Sequence, residues 1–454
     1  MSKFIKLSKG FDINLAGKAQ NKIAEASQPE TFAYKPTSFH GIRRPKLTVK
    51  EGDNVKAGTP ILFDKKNENI KHVAPVSGEV VEIRRGDKRK LLEIVILADK
   101  EVEYESFNKH SVSDIANLSR EDVVANLLKS GTWPNITQRP YGVIADPEEQ
   151  PKAIFISAFD SHPLAPDYNI LYKGEDNYFQ AGLDVIKKLT TGHVHLNVST
   201  DQEVPQMFAH AKNVELNKVS GKHPAGNVGI QIHHIDPINK GDIVWTLNPY
   251  GVIQIGKLFL EGKYDASKVV ALAGSEVKEP QYYRTYTGAS IKKMVENNIS
   301  GDNVRYVAGN VLTGEKITSD GHIGYFDNLV SVIPEGDEYE LLGWIKPTTK
   351  KLSFQRAFGL LSFLNPKKEY VVDTNTKGEP RAFVQTGVFE KVLPMDMYPT
   401  YLLKAILAED FDDMEALGIY EIIEEDLALC EFVDVSKHDV QAIVREGLDL
   451  MQYS

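Results

Sequence analysis

Cysteine is almost absent from this chain: Cys430 is the single example in 454 residues. One thiol excludes a disulfide framework, a four-cysteine zinc site and a self-contained iron–sulfur cluster. It also fits a reducing compartment. Basic residues are outnumbered as well, with 53 Lys and Arg against 63 Asp and Glu and a net charge of −10. Because phosphate backbones need a cationic surface, nucleic acid is not the expected partner.

Long apolar runs are also missing. No stretch reaches the roughly 18 consecutive apolar residues of a membrane-spanning helix. The first residues, "MSKFIKLSKGFDINLAG", contain lysines but not the continuous apolar segment of a signal peptide. We therefore expect a soluble, cytoplasmic chain that remains free to dock onto a membrane partner.

The chain is longer than one hydrophobic core accommodates, so we expect several domains. The patterns of its segments predict an α/β multidomain protein. Residues 1–103 contain short alternating strands with Gly, Pro and Asp between them, typical of a barrel-sandwich domain like biotinyl and lipoyl carriers. Residues 104–256 alternate strands and helices, which predicts a Rossmann-like parallel sheet. Residues 257–335 suit a β-grasp module, and residues 336–377 a connector. Residues 378–454 have amphipathic patterns that predict a helical bundle.

The carrier-like pattern is clearest in residues 49–83, "VKEGDNVKAGTPILFDKKNENIKHVAPVSGEVVEI". Carrier domains display one modified lysine at a hairpin tip, and Lys65 and Lys66 occupy the equivalent tip here. The Met-Lys-Met signature of biotin carriers is missing from "FDKKNENI". A motif without its context is weak, so a solvated hairpin tip is favoured over a modified lysine.

Two histidine pairs are candidate metal ligands. His193 and His195 alternate on a predicted strand and so share a face. His233 and His234 are adjacent and would point to opposite faces if extended. Neither pair has Cys, Asp or Glu at regular spacing, which favours ordinary half-buried imidazoles over a zinc site.

No dinucleotide-binding or Walker motif is present, but residues 220–229, "SGKHPAGNVG", form a glycine-rich loop. It suits either a ligand loop at the carboxyl edge of the sheet, with His223 as a donor, or a structural loop. The acids in "EIIEEDLAL" lie on a helix that buries Leu427 and Leu429. We expect a solvated helix face there, in preference to a general acid and base.

Several short sequence segments resemble those of one protein family and occur in the same order as in that family. The chain resembles the NqrA family, which belongs to the sodium-translocating NADH:quinone oxidoreductase, a bacterial respiratory membrane complex. The resemblance covers essentially the whole chain and rests on these strings: "KGFDINLAG", "APVSGEVVEI", "SGKHPAGNVGIQIHHIDP", "GKLFLEGKY", "RTYTGAS", "VLTGEK", "EKVLPMDMYPTYLLKAIL" and "EEDLALCEF".

More distantly, the layout is similar to the RnfC family of the Rnf complex and to the flavin-bearing member of respiratory complex I. Those relatives hold FMN with a glycine-rich loop and a cluster with several cysteines. In this chain "TWPNITQRPYGV" takes the position of the glycine-rich loop and has bulky side chains there. The segment "ISAFDSHPLAPDY" corresponds to an acidic segment of the relatives. Of their cysteine cluster, only Cys430 remains. The resemblance implies that this chain binds neither flavin nor iron–sulfur cluster.

The resemblance further implies a peripheral subunit on the cytoplasmic side of the bacterial inner membrane, docked on integral membrane subunits. The complex passes electrons from NADH to quinone and exports Na⁺, so NADH, flavins, Fe–S centres, quinone and Na⁺ belong to its other subunits. No catalytic or metal-binding residue is predicted in this chain.

One hypothesis gives the chain a quinone contact where the relatives bind flavin, since an aromatic wall with a few donors suits a quinone ring. The candidates are Trp133, Arg139, Asp160, His162, His223 and Gly226. Three alternatives stay open: a pure assembly scaffold, a stand-alone flavin- or NAD-dependent dehydrogenase, and a biotin or lipoyl carrier.

Overall fold

The computed structural model describes residues 2–24, 28–337, 340–343, 351–355, 365, 367–383 and 387–453. Part of the predicted connector lies outside these ranges. Elements of the described residues are numbered in chain order.

The strands are β1 (Phe4–Lys6), β2 (Ile23–Ala24), β3 (Thr31–Tyr34), β4 (Pro45–Leu47), β5 (Asn54–Val55), β6 (Pro60–Asp64), β7 (Asn67–Val73), β8 (Gly78–Arg85), β9 (Leu91–Ala98), β10 (Thr137–Arg139), β11 (Val143–Ile144), β12 (Ala153–Ser157), β13 (His193–Ser199), β14 (Glu215–Ser220), β15 (Val244–Leu247), β16 (Ser267–Ala273), β17 (Gln281–Tyr286), β18 (Val304–Ala308), β19 (Glu315–Ile317) and β20 (Leu329–Pro334).

The α-helices are α1 (Val112–Ile115), α2 (Arg120–Ser130), α3 (Tyr168–Leu171), α4 (Asp176–Ile186), α5 (Gln206–Ala209), α6 (Val228–Ile235), α7 (Pro249–Glu261), α8 (Lys292–Val295), α9 (Pro399–Leu407), α10 (Phe411–Ala416), α11 (Ala428–Val433) and α12 (Val440–Tyr453). Short 3-10 turns span Pro36–Ser38, Asp87–Arg89, Trp133–Asn135, Lys187–Leu189, Phe389–Lys391, Ile419–Glu421 and Glu424–Leu427.

The predicted Rossmann-like sheet is present and has seven strands in the order β1-β14-β13-β12-β15-β10-β11. The strands from β1 to β15 in that order are parallel, and β10 and β11 add an antiparallel edge. The central strand β12 is buried along most of its length, as expected for a parallel sheet with both faces covered. The order reverses between β12 and β15, which makes this position the topological switch point.

Helices α4 and α7 pack closely against each other because glycines meet at their contact. A Cβ at Gly182 would lie 2.0 Å from the carbonyl oxygen of Val252, and one at Gly256 would lie 1.8 Å from that of Tyr178. Larger residues would force the helices apart, so these glycines set the spacing of the layer that covers the sheet.

The other predicted parts are also found. A six-stranded sheet, β19-β18-β20-β16-β17-β2, forms the β-grasp module, and a four-stranded and a three-stranded sheet, β3-β9-β8-β5 and β4-β6-β7, form the barrel sandwich. The hydrophobic core of the seven-stranded sheet continues into the C-terminal helices, where Ile156, Leu402, Leu427 and Val444 belong to one buried cluster. The C-terminal bundle is therefore packed onto the sheet domain.

The domain limits are less simple than the sequence pattern. Strand β1 pairs with β14, placing Ile5 opposite Val219, and β2 pairs with β17, placing Ile23 opposite Tyr282. The first strands of the predicted domain 1–103 thus lie in the sheets of the two following parts. Helix α7 likewise runs to Glu261, past the predicted limit at residue 256. Among the described residues, the helices are too short or too polar to cross a bilayer.

Candidate functional site

Polar side chains meet at the carboxyl ends of β12 and β14. The loop after β12 supplies Asp160, Ser161 and His162, and the loop after β14 supplies His223. Asp160 Oδ1 lies 2.7 Å from His162 Nδ1 and accepts a hydrogen bond from the His162 backbone N–H at 2.8 Å. The rings of His162 and His223 lie 4.6 Å apart, and His223 Nδ1 is 3.0 Å from Ser161 Oγ.

Gly226 joins the two loops through its backbone. Its N–H donates to Ser161 Oγ at 2.8 Å, and its carbonyl accepts from Ser157 Oγ at 2.8 Å. A Cβ at this position would lie 2.7 Å from the backbone nitrogen of Ser161. Only glycine therefore permits the loops to approach this closely.

Arg139, the last residue of β10, faces the acidic turn before α11. Its Nη1 donates to Asp426 Oδ2 at 2.6 Å, and its Nη2 donates to Glu425 Oε1 at 2.8 Å. The side chains of Arg139 and Asp426 are buried, and that of Glu425 is 36% exposed. A Cβ at Gly229, in the first turn of α6, would lie 2.3 Å from Asp426 Oδ2, so glycine leaves the space that the ion pair fills. We call Arg139, Asp160, His162, His223, Glu425 and Asp426 the carboxyl-edge cluster.

The surroundings shift the pKa values of the two histidines of the cluster in opposite directions. Burial by itself lowers the pKa of His162, but the carboxylates of Asp160, Glu425 and Asp426 raise the pKa above its ordinary value. Burial and the neighbouring His162 together lower the pKa of His223 to about 3. The protonated form is therefore favoured at His162 and disfavoured at His223, as expected where one imidazole has a carboxylate partner and the other does not.

Several polar atoms of the cluster have no hydrogen-bond partner although they are buried. They include Nε2 of both His162 and His223. Buried polar atoms are normally satisfied, and an orphaned atom is a place where a ligand or water can bind. The side chains here can hold a proton on His162 and donate hydrogen bonds to a small polar group.

Trp133 does not join this cluster. It is fully buried, its indole N–H donates to the carbonyl of Ala145 at 2.8 Å, and its ring meets Trp245 edge to face at 5.5 Å. Of the six predicted pocket residues, the structure brings together Asp160, His162, His223 and Gly226, with Arg139 joined to them through the acidic turn. The aromatic wall is not supplied by the tryptophan.

The acids of "EIIEEDLAL" were expected on a solvated helix face, and this prediction is wrong. Asp426 is buried on Arg139, and Glu424, 16% exposed, lies 3.2 Å from Arg445 Nη1. Helical periodicity identified the apolar face but not a partner 287 positions away. The signal available in the sequence was Arg139 itself, because a guanidinium inside a sheet needs a carboxylate.

The two histidine pairs occupy different settings. His193 and His195 do share a face of β13, and both approach Glu215, at 3.0 Å and 3.7 Å. His233 and His234 lie on helix α6 and not on a strand. His233 Nδ1 is 2.7 Å from Glu421 Oε2, and His234 Nε2 is 2.8 Å from the carbonyl of Pro394, so both contact the C-terminal part. In the described part of the chain, no group of three or more His, Cys, Asp or Glu side chains could hold a metal ion.

Lys65 and Lys66 lie at the tip between β6 and β7 and are exposed, as predicted. Lys66 is not merely solvated, because its ammonium lies 5.3 Å from the centre of the Tyr453 ring on α12. Cys430 is fully buried on α11, and burial raises the pKa of its thiol well above the ordinary value. A neutral buried thiol is a packing residue.

Three family models, all of NqrA domains, match successive segments of the chain. Residues 5–99 match the model described as NqrA N-terminal barrel-sandwich hybrid domain, residues 118–264 the NqrA second alpha/beta domain, and residues 269–319 the NQRA C-terminal domain.

Curated relatives match over almost the full length. The NqrA proteins of Na(+)-translocating NADH-quinone reductase are 37% identical over 452 residues in Alcanivorax borkumensis, 36% over 450 in Neisseria meningitidis serogroup B and 37% over 451 in Haemophilus influenzae. Each alignment covers 99% of both chains. Among solved structures, an NAD+-reducing [NiFe]-hydrogenase is 11% identical over 52% of each chain with a TM-score of 0.36, too low to argue from.

Proposed function

The chain belongs to the NqrA family of Na(+)-translocating NADH-quinone reductases, and on that premise we propose that it is the peripheral, cytoplasmic-side subunit of such a complex. As a member of the family it is one subunit of a sodium-translocating oxidoreductase. The proposal rests on a sequence identity of 37% to an NqrA protein, over an alignment that covers 99% of this chain. Its partners are the integral membrane subunits, which carry the sodium route.

We further propose that this chain holds neither flavin nor iron–sulfur cluster, so that NADH, flavins, Fe–S centres and Na⁺ are handled by other subunits. Two features support this. The space beside Gly229, in the first turn of α6, is filled by the ion pair of Arg139 and Asp426, and the one thiol, Cys430, is buried and held neutral. A four-iron cluster needs several thiolates that this chain does not contain.

Affinity purification through a tag on this chain, from gently solubilised membranes of the native host, tests the assignment. We expect integral membrane subunits to co-purify and the isolated chain to be colourless. Purification without membrane subunits contradicts the role in the complex. A stoichiometric visible chromophore in the isolated chain would instead support a stand-alone flavin dehydrogenase, and a mass increment on Lys65 or Lys66 would support a carrier.

A quinone contact at the carboxyl-edge cluster is the second part of the proposal. The orphaned Nε2 atoms of His162 and His223 favour it, because a quinone carbonyl accepts hydrogen bonds of this kind. Asp160 and Gly226 hold the two loops in place. Arg139 anchors the acidic turn, and Trp133 packs against Trp245.

The test is quinone reduction by the intact complex carrying His223→Ala, with Trp133→Phe as the matched variant of a buried residue that does not touch the cluster. We expect the KM for quinone to rise in the first variant and to stay unchanged in the second. An unchanged KM and kcat in His223→Ala would leave the chain as an assembly scaffold, which is the competing role.

A further inference from the structure

A cavity of about 280 Å³ lies between helices α3 and α7, which cover the seven-stranded sheet, and strands β16 and β17 of the β-grasp sheet. Asn248, which directly follows β15, lines it, as do residues of α7 and the segment Tyr168–Lys173. The cavity is therefore next to the point where the strand order reverses between β12 and β15. Open α/β sheets bind ligands at this position, and small-molecule sites favour domain interfaces.

The cavity is cationic, although the chain as a whole is acidic. Its lining contains four basic side chains and one carboxylate, and these are Lys173, Lys257, Lys268, Arg284 and Glu175. Lys257 is already neutralised, since its ammonium lies 3.0 Å from Glu175 and 3.1 Å from Asp265. The remaining basic side chains leave an excess of positive charge inside the cavity.

Lys268 is the centre of this excess charge. Its side chain is buried, and its ammonium donates to the backbone carbonyls of Tyr325 at 3.0 Å and Asp327 at 2.7 Å. It forms no ion pair with any residue that the structure describes. Burial lowers the pKa of Lys268 to about 8, so the ammonium stays mostly charged at neutral pH. The Asp327 carboxylate counters the burial of Lys268 in part without forming an ion pair with it. An anionic ligand would offset the rest of the cost of burying this cation.

The walls combine aromatic rings with one unused hydroxyl. The rings belong to Tyr168, Tyr172, Tyr250, Tyr286 and Phe326. The Lys268 ammonium lies 4.6 Å from the centre of the Tyr250 ring, which orients it along the aromatic wall. Thr285 is 2% exposed, and its Oγ1 has no hydrogen-bond partner. An orphaned hydroxyl in a cavity wall indicates a polar ligand.

We propose that this cavity, which we call the switch-point cavity, binds an organic phosphate that carries a planar ring, with the size of a mononucleotide. The rings stack on the planar group, while Lys268 and Thr285, which are paired neighbours on one face of the sheet, contact the phosphate, and Arg284 adds positive charge at the exposed rim. Asn248 lines the cavity and caps α7 by accepting a hydrogen bond from the Gly251 N–H at 2.8 Å, so this N–H of the helix end is not a free donor there. The volume is at the lower limit for ligand pockets, which favours a mononucleotide over a dinucleotide.

Calorimetric titration of the purified full-length chain with AMP at pH 7 tests the proposal, with inorganic phosphate and adenosine as separate probes. We expect AMP to bind at least roughly tenfold more tightly than either, because each lacks one half of the recognised group. Thr285→Val removes only the orphaned hydroxyl and should weaken AMP binding by roughly 3- to 10-fold. Its thermal unfolding should be unchanged or shifted upwards, which a purely structural hydroxyl would not produce.

Arg284→Gln tests the charge at an exposed position, with Arg85→Gln on the barrel sandwich as the matched control. The first should weaken AMP binding by about tenfold and the second should not change it. AMP binding no tighter than that of phosphate or adenosine overturns the proposal. So does binding that is unaffected by both Thr285→Val and Arg284→Gln. Neither outcome depends on whether the chain enters the sodium-translocating complex.

Discussion

Arg139 and Asp426 are separated by 287 positions in the sequence, yet Arg139 Nη1 donates to Asp426 Oδ2 at 2.6 Å with both side chains buried. This contact joins the antiparallel edge of the seven-stranded sheet to the C-terminal helices. It also fills the space beside Gly229, in the first turn of α6, with protein side chains. The ion pair therefore determines both how the two parts are held together and what space remains for a ligand.

Replacing Arg139 by Met should destabilise the chain by roughly 3–5 kcal/mol, because Asp426 is left as a buried charge without a partner. The double variant Arg139→Met/Asp426→Leu should recover part of that loss. Urea unfolding of the purified chain measures both changes. Lys240→Met, which breaks the exposed pair with Glu415, is the matched control and should have no measurable effect. Equal losses in the single and double variants would contradict a dominant role for the buried charge.

The free energy of unfolding should fall when the pH is lowered from 7 to 5. Burial lowers the pKa of His72 and of His223 to about 3 and that of His195 to about 4. Below pH 6.5 the unfolded chain takes up these protons and the folded chain does not, so each histidine costs up to about 2 kcal/mol at pH 5. His162, with its raised pKa, acts in the opposite direction.

Urea unfolding at several pH values measures this dependence. Glu93 and Glu335 contribute little in the same window, since their pKa values are lowered to about 2 and they titrate in stronger acid. Variant His195→Gln should show a shallower loss of stability than the parent chain. A stability that is constant, or that rises, between pH 7 and 5 would show that these imidazoles are not held neutral.

Cys430 should not react with N-ethylmaleimide at pH 8 in the folded chain, because burial and the nearby Glu390 and Asp434 raise the pKa of its thiol. The thiolate is the reactive form, and it is scarcely populated here. In guanidinium chloride one thiol per chain should react. Mass spectrometry counts the label, and rapid labelling of the native chain would place Cys430 at an accessible position instead.

Removing residues 2–12 should destabilise the sheet and the loop that holds His223. Strand β1 occupies one edge of the seven-stranded sheet, Asp12 Oδ1 accepts from the His223 backbone N–H at 2.9 Å, and Phe11 N–H donates to the His223 carbonyl at 2.9 Å. Hydrogen exchange should show faster exchange of the amides in β14 and in the loop after it. Unchanged exchange there, with the deletion confirmed by mass, would contradict this support.

The elements that were predicted correctly are those that depend on the pattern of neighbouring residues in the sequence. "KAIFISAF" forms a buried strand because its apolar residues are nearly continuous, and "HVHLNVS" forms one whose apolar residues alternate with polar ones. The barrel sandwich follows from its turns. His233 and His234 would point to opposite faces only if "GIQIHHIDP" were extended, but they lie on helix α6 and contact the C-terminal part. A short apolar run does not distinguish a strand from a buried helix.

The candidate site was predicted in part. Asp160, His162, His223 and Gly226 meet because the carboxyl ends of parallel strands share one edge, which topology alone implies. Asp426 was missed because its partner comes from a distant segment, and no spacing rule reports such a contact. The switch-point cavity was missed for a related reason, since it exists only once β16 and β17 cover α7.

The pairing of β1 with β14 and of β2 with β17 has a consequence for synthesis on the ribosome. The amino-terminal residues leave the exit tunnel first, yet their neighbours in the sheets are translated some two hundred residues later. Until then the nascent segment has nothing to pair with, and it depends on solvent or a chaperone to keep its backbone from aggregating. The beginning of the polypeptide thus reaches its final position only after β14 and β17 have been synthesised.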